Sequence, residues 1–61
     1  MFGRIKKGEN VIGLRAVRAQ GRFFRRGPPL VRGSYLGKIR GWHMVDTGRH
    51  VWLCSDVKKE D

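Results

Sequence analysis

The stretch YLGKIRGWHMVDTGRHVWLC, residues 35–54, decides the fold. Residues 35–45 read as the longest candidate strand of the chain. Asp46-Thr47-Gly48 is the clearest turn, because Gly48 can take the left-handed conformation that a type I turn with a G1 bulge requires. Residues 49–54 then return as a second strand. With Gly48 as the bulge, Val45 faces Arg49 and Trp42 faces Trp52. One face of the hairpin collects Ile39, Val45, Val51 and Leu53, a good core set. The other carries Lys38, Arg40, Trp42, Met44, His50, Trp52 and Cys54. A two-residue Thr47-Gly48 turn would slip the pairing by one and put the tryptophans on opposite faces. The bulged register is preferred because it gathers the aliphatic residues.

Working outward, glycine and proline punctuate the chain every few residues. Nine glycines leave no long helix-forming run, since each interior glycine costs roughly 1 kcal/mol against alanine. Short strands with turns fit better. Residues 11–19 read as one strand, with Ile12, Leu14 and Ala16 on one face and Arg15 and Val17 on the other. Gln20-Gly21 turns into a second short strand at 22–26, with Phe23 and Phe24 on opposite faces. Gly27-Pro28-Pro29 stops it, because proline removes a ladder donor and restricts its neighbour. Residues 30–32 resume extended chain, and Gly33-Ser34 turns. Ser55-Asp56-Val57 closes with one short turn before a charged tail, 58–61. The expected architecture is all-β: a small SH3-like barrel of about five short antiparallel strands. Closure would remove exposed sheet edges.

Length and charge bound what such a chain does. Sixty-one residues make a single domain, 1–61, that buries only about 60% of its unfolded surface and has no room for a deep pocket beside a core. Fourteen Lys and Arg against five Asp and Glu give a net charge of +9. So large a charge repels itself unless a partner supplies the opposite sign. Nine of the fourteen cations are arginine, which grips phosphate bidentately and stacks on bases. The single cysteine, Cys54, excludes an internal disulfide and suits a reducing compartment. Met1-Phe2-Gly3-Arg4 leads into charge rather than a signal core, and no apolar run approaches a membrane span. The expectation is a soluble protein of the cytoplasm, or of the nucleus or nucleoid in company with nucleic acid.

Some residues resemble a known group. Residues 6–11, Lys6-Lys7-Gly8-Glu9-Asn10-Val11, look like the opening strand of many SH3-like barrels. Arg26-Gly27-Pro28 followed by Val31, then Val45-Asp46 with Gly48, Val51-Trp52-Leu53 and Val57-Lys58, resembles the C-terminal domain of retroviral-type integrases. That resemblance implies an SH3-like barrel that binds DNA and helps assembly without being catalytic. Gly37-x-Ile39-x-Gly41-Trp42 is similar to a stretch of plasmid-borne type II dihydrofolate reductases, also SH3-like, whose active-site Val-Gln-Ile-Tyr run is missing here.

Catalytic constellations are weak. The carboxylates Glu9, Asp46 and Asp56 are scattered, and Asp46 is explained as a turn residue. No phosphate-cradling glycine loop with a lysine is present, and the glycines read as turn and bulge formers. His43, His50 and Cys54 suggest neither a metal site nor a nucleophile pair: the bulged register points His43 away from the other two, and no fourth ligand or orienting group is in view. Catalytic residues, metal and cofactors are therefore expected to be none, and the chain is expected not to be an enzyme.

The densest basic region is Arg15, Arg18, Arg22, Arg25, Arg26 and Arg32, expected to converge around a hairpin tip and contact phosphates. Lys38, Arg40, Trp42 and Trp52 complete the expected nucleic-acid-binding set, the aromatics stacking on bases or lying in a groove. The Trp pair reads first as the second side of a small core, then as a base platform, and last as a protein anchor. The function expected is non-catalytic binding of DNA or RNA. The alternative is a small regulator of phage or mobile-element type that docks on an acidic surface of a host protein or ribonucleoprotein, or self-associates. No membrane partner is expected.

Overall fold

The computed structural model describes residues 5–60; the Met1–Arg4 segment and Asp61 of the charged tail lie outside them. The protein is all-β. Seven strands run β1 (Asn10–Leu14), β2 (Val17–Gln20), β3 (Phe23–Arg26), β4 (Leu30–Ile39), β5 (Trp42–Asp46), β6 (Val51–Cys54) and β7 (Asp56–Lys59). They form one antiparallel sheet in the order β3-β2-β6-β5-β4-β1-β7.

The ten-residue strand β4 organises the sheet. Its first half pairs with β1 and its second half with β5, and Ser34 partners both Asn10 and Asp46. A Cβ at Gly33 would fall on the Asp46 carbonyl oxygen, so only glycine lets the two backbones meet there. The Gly33-Ser34 pair, expected as a turn, is thus the place where one continuous strand changes partner. A bulge between Tyr35 and Gly37 then bends β4 toward β5.

The sheet curls, bringing β5 close to both β1 and β7 across the interior. Val11, Ala16, Val31, Tyr35, Val45 and Cys54 fill that interior, and Ile5, Trp52 and Val57 pack against them. The curl does not close. β3 and β7 end as separate edges, so the expected closed barrel of about five strands is an open sheet of seven. The reason lies at residues 15 and 27–29. Arg15 adopts a left-handed φ of 56°, which breaks the expected 11–19 strand into β1 and β2. Gly27-Pro28-Pro29 ends β3 without ladder donors at the prolines. Arg15 N–H donates to Pro29 O (3.3 Å) and Gly27 N–H to Ala16 O (2.8 Å), so this junction satisfies its own backbone. Beyond it the β2–β3 hairpin joins the sheet through a single backbone pair, Val17 with Leu53, and projects as an arm. The molecule is accordingly elongated, 37 × 21 × 17 Å.

Two further expectations need correction. The 35–45 strand is split by Arg40-Gly41, whose φ values of 49° and 86° make a two-residue type I′ hairpin turn between β4 and β5. The segment expected as a short turn and loose tail instead forms β7, with Ile12 opposite Lys58 and Val11 opposite Lys59.

Candidate nucleic-acid interface

The register of β5 against β6 decides which side chains share a surface. The turn lies where expected, but it is a four-residue loop, 47–50. The Gly48 N–H donates to Asp46 Oδ1 (2.9 Å), and Thr47 donates to His50 O from its N–H (3.0 Å) and its hydroxyl (3.1 Å). Val45 therefore faces Trp52, three residues from the Arg49 partner expected. An odd shift exchanges the faces. The core set Ile39, Val45, Val51 and Leu53 does not form: Val45 is fully buried, while Ile39 is 48% and Val51 43% exposed. The tryptophans part company. Trp52 shares the inner face with Val45 and Cys54, whereas Trp42 sits on the outer face with Met44 and Leu53.

Trp52 completes the core. It packs on the buried cluster, and Gly27 lies so close to its six-membered ring that a Cβ there would overlap it. The Arg18 guanidinium stands 5.5 Å from the ring centroid, and His50 meets it edge-on at 6.0 Å. Trp42 instead stacks on Phe24 of the arm, with centroids 6.4 Å apart and planes 19° apart. Sequence reasoning missed Phe24; the only hint was its position among the arginines.

His43 is cross-strand from Cys54, on the same face, which corrects the expectation that it points away. Its Nδ1 lies 2.9 Å from the Tyr35 hydroxyl. Among the described residues no three His, Cys, Asp or Glu side chains gather closely enough to hold a metal ion. The Cys54 thiol is fully buried, and desolvation pushes its pKa up. A buried thiol that holds its proton is a poor nucleophile.

The arm carries the charge. Arg18 pairs across the hairpin with Arg25, and Val17 with Arg26; Arg22 sits in the turn. Every residue of β3 is exposed. Arg18, Gln20, Phe23 and Arg25 share one face of the hairpin, with Arg25 touching Gln20 Oε1 at 3.5 Å. Ala19, Phe24 and Arg26 share the other with Val17. Arg15 stands at the base, where Arg15, Val17, Arg26, Gly27, Pro28 and Pro29 line a cleft of about 470 Å³. The Phe24–Trp42 stack brings the Arg40-Gly41 turn alongside the arm. Lys38 is exposed near the end of β4, opposite His43.

Arg32 does not join this group. It lies on β4, with β5 and β6 between it and the hairpin in sheet order, and its Nε is 3.3 Å from Glu60. The other ion pair among the described residues joins Lys59 to Glu9 at 3.6 Å. No Asp or Glu occurs between Glu9 and Asp46, so the whole span from β1 to most of β5 is cationic or neutral. Among the described residues none of the arm's arginines is paired with a carboxylate.

No helix among the described residues is long and apolar enough to cross a membrane. Comparison of the chain with protein-family models, curated proteins and solved structures finds no match.

Proposed function

We propose that this protein is a non-catalytic nucleic-acid-binding domain whose β2–β3 arm grips phosphates and whose exposed aromatics meet bases. One observation carries the reading: a projecting hairpin, exposed along all of β3, holds Arg18, Arg22, Arg25 and Arg26 with no carboxylate paired to any of them among the described residues. Uncompensated charge concentrated on a projecting element costs folding energy and is relieved when phosphates approach. Arginine suits that task because its fork matches phosphate geometry. Arg40, beside the arm, adds a fifth contact.

Salt titration tests the reading. Five neutralised phosphates give a slope of log affinity on log salt of about −4.5 for duplex and about −3.5 for single strands. Replacing Arg22 and Arg25 with glutamine removes two contacts and flattens the slope by about 1.8 on duplex and about 1.4 on single strands. A wild-type slope near zero sinks the reading, and a complex recovered from cells that survives nuclease treatment points to a protein partner instead.

A further inference from the structure

The outer face of β5, β6, β2 and β3, with the end of β4 beside it, carries exposed apolar side chains flanked by arginine. Phe24 is 62% exposed, Ile39 48% and Val51 43%, and Trp42 joins them half-buried. Along this face the residues follow one another: Arg40 opens the turn that leads to Trp42, Trp42 stacks on Phe24, and Arg26 lies two residues along β3 from Phe24 on the same side. Two residues of a strand span about 7 Å. Arg26 then forms one wall of the cleft that Arg15, Pro28 and Pro29 complete.

Both non-glycine residues with positive φ among the described residues lie on this line, and both are arginine: Arg15 at 56° and Arg40 at 49°. An arginine in the left-handed region is strained, whereas glycine or asparagine would fit at little cost. Strain of this kind persists only where the surrounding structure holds it, and it clusters at ligand-binding sites. The two strained arginines mark the ends of the apolar line.

We infer that this face is a track for one unpaired strand of DNA or RNA. One base stacks on the Phe24–Trp42 pair, and the neighbouring nucleotide enters the cleft over the Pro28 and Pro29 rings. Arg40, Arg26 and Arg15 hold the intervening phosphates. Aromatic side chains offer this contact only to bases whose flat faces are free, and in a duplex those faces are covered by their neighbours. The cleft is of a size that admits a nucleotide-sized group. The inference rests on the nucleic-acid reading and goes further by naming the strand class.

The experiment measures affinity of the whole chain, by fluorescence anisotropy at fixed salt, for oligothymidylate and oligouridylate of about twelve nucleotides and for a duplex of the same length. Three proteins are compared: wild type, Phe24→Ala and Arg15→Gly. Phe24 is exposed on an edge strand, so its loss leaves the core intact, and circular dichroism checks this. Wild type binds the single strands more tightly than the duplex. Phe24→Ala weakens single-strand binding by about 5- to 150-fold, the range for loss of one stacked base, and changes duplex binding by less than about twofold. Arg15→Gly weakens single-strand binding while leaving the melting temperature equal or higher. The two oligonucleotides separate RNA from DNA preference. Tighter duplex binding, or equal losses on both substrates in Phe24→Ala, overturns the single-strand track and leaves the phosphate-gripping arm standing. Absence of binding to all three removes both.

Discussion

The contact between Gly13 and Cys54 offers the sharpest test of how this small core is packed. Gly13 lies in the middle of β1 with ordinary strand geometry, and a Cβ there would overlap the Cys54 Sγ and come within 3.1 Å of Val31 Cγ2. Alanine at a strand position normally gains about 0.5–1 kcal/mol over glycine. Here forcing a methyl group into a filled site costs about 1–3 kcal/mol, so Gly13→Ala comes out between neutral and destabilising by about 2.5 kcal/mol. Cys54→Ala alone leaves a hole the size of one sulfur and costs about 1–2 kcal/mol. Together they compensate, because the methyl group added at position 13 occupies the space the sulfur vacates. The rescue is incomplete, since Val31 Cγ2 and the Cβ of residue 54, at 3.3 Å, remain close. The double variant is therefore expected at least about 1 kcal/mol more stable than the sum of the singles. For a domain of this length that coupling is worth about 4–8 °C in melting temperature. Urea and thermal unfolding of the four proteins measure it. Strictly additive effects would refute the claim that Gly13 is held as glycine by the cysteine sulfur.

Other predictions follow from single features. Arg15→Gly and Arg40→Gly each relieve left-handed strain, remove a cation from a chain that repels itself, and raise the urea midpoint by the equivalent of about 1 kcal/mol. The folded-state pKa of Cys54 is raised by burial above its ordinary value of 9.0. Its contribution to stability is therefore fully present below about pH 9 and is lost as pH rises through the folded value, so wild type loses stability faster than Cys54→Ala on alkaline titration. A thiol reagent at about pH 8 should modify Cys54 only as fast as the protein opens, and rapidly in denaturant. Tyr35→Phe removes the bond to His43 Nδ1 and should lower unfolding free energy by about 0.5–1.5 kcal/mol; an unchanged midpoint would show the bond to be incidental.

The all-β character was legible in the sequence because its cause is local: nine glycines and two prolines forbid long helices wherever the strands go. The Asp46–Gly48 turn and the basic hairpin were legible for the same reason. Register was not. Whether the β5–β6 loop holds three residues or four depends on Trp52 finding its place against Val45 and Gly27, a matter of packing rather than turn chemistry. The breaks at Arg15 and Arg40 were invisible because arginine is not a left-handed residue by preference; tertiary structure imposes the conformation. Five residues of the expected binding set, Arg15, Arg18, Arg22, Arg25 and Arg26, do lie on or at the base of the arm. The partnership of Phe24 with Trp42 joins residues far apart in the chain and requires β2 to dock on β6, which no local pattern announces.

The single Val17–Leu53 pair that tethers the arm has a consequence for how this protein can change. Beyond that pair only Arg18, over the Trp52 ring, and Phe24, on Trp42, touch the body, so substitutions at the other arm side chains are nearly silent in folding free energy. The body around Val11, Val45 and Cys54 has no such freedom, since each of these positions is wholly enclosed. Selection can therefore retune the arm's charge, length and aromatic content without eroding a marginal core. The outward-facing half of the molecule is free to follow a changing partner, while the inward-facing half stays fixed by its own packing.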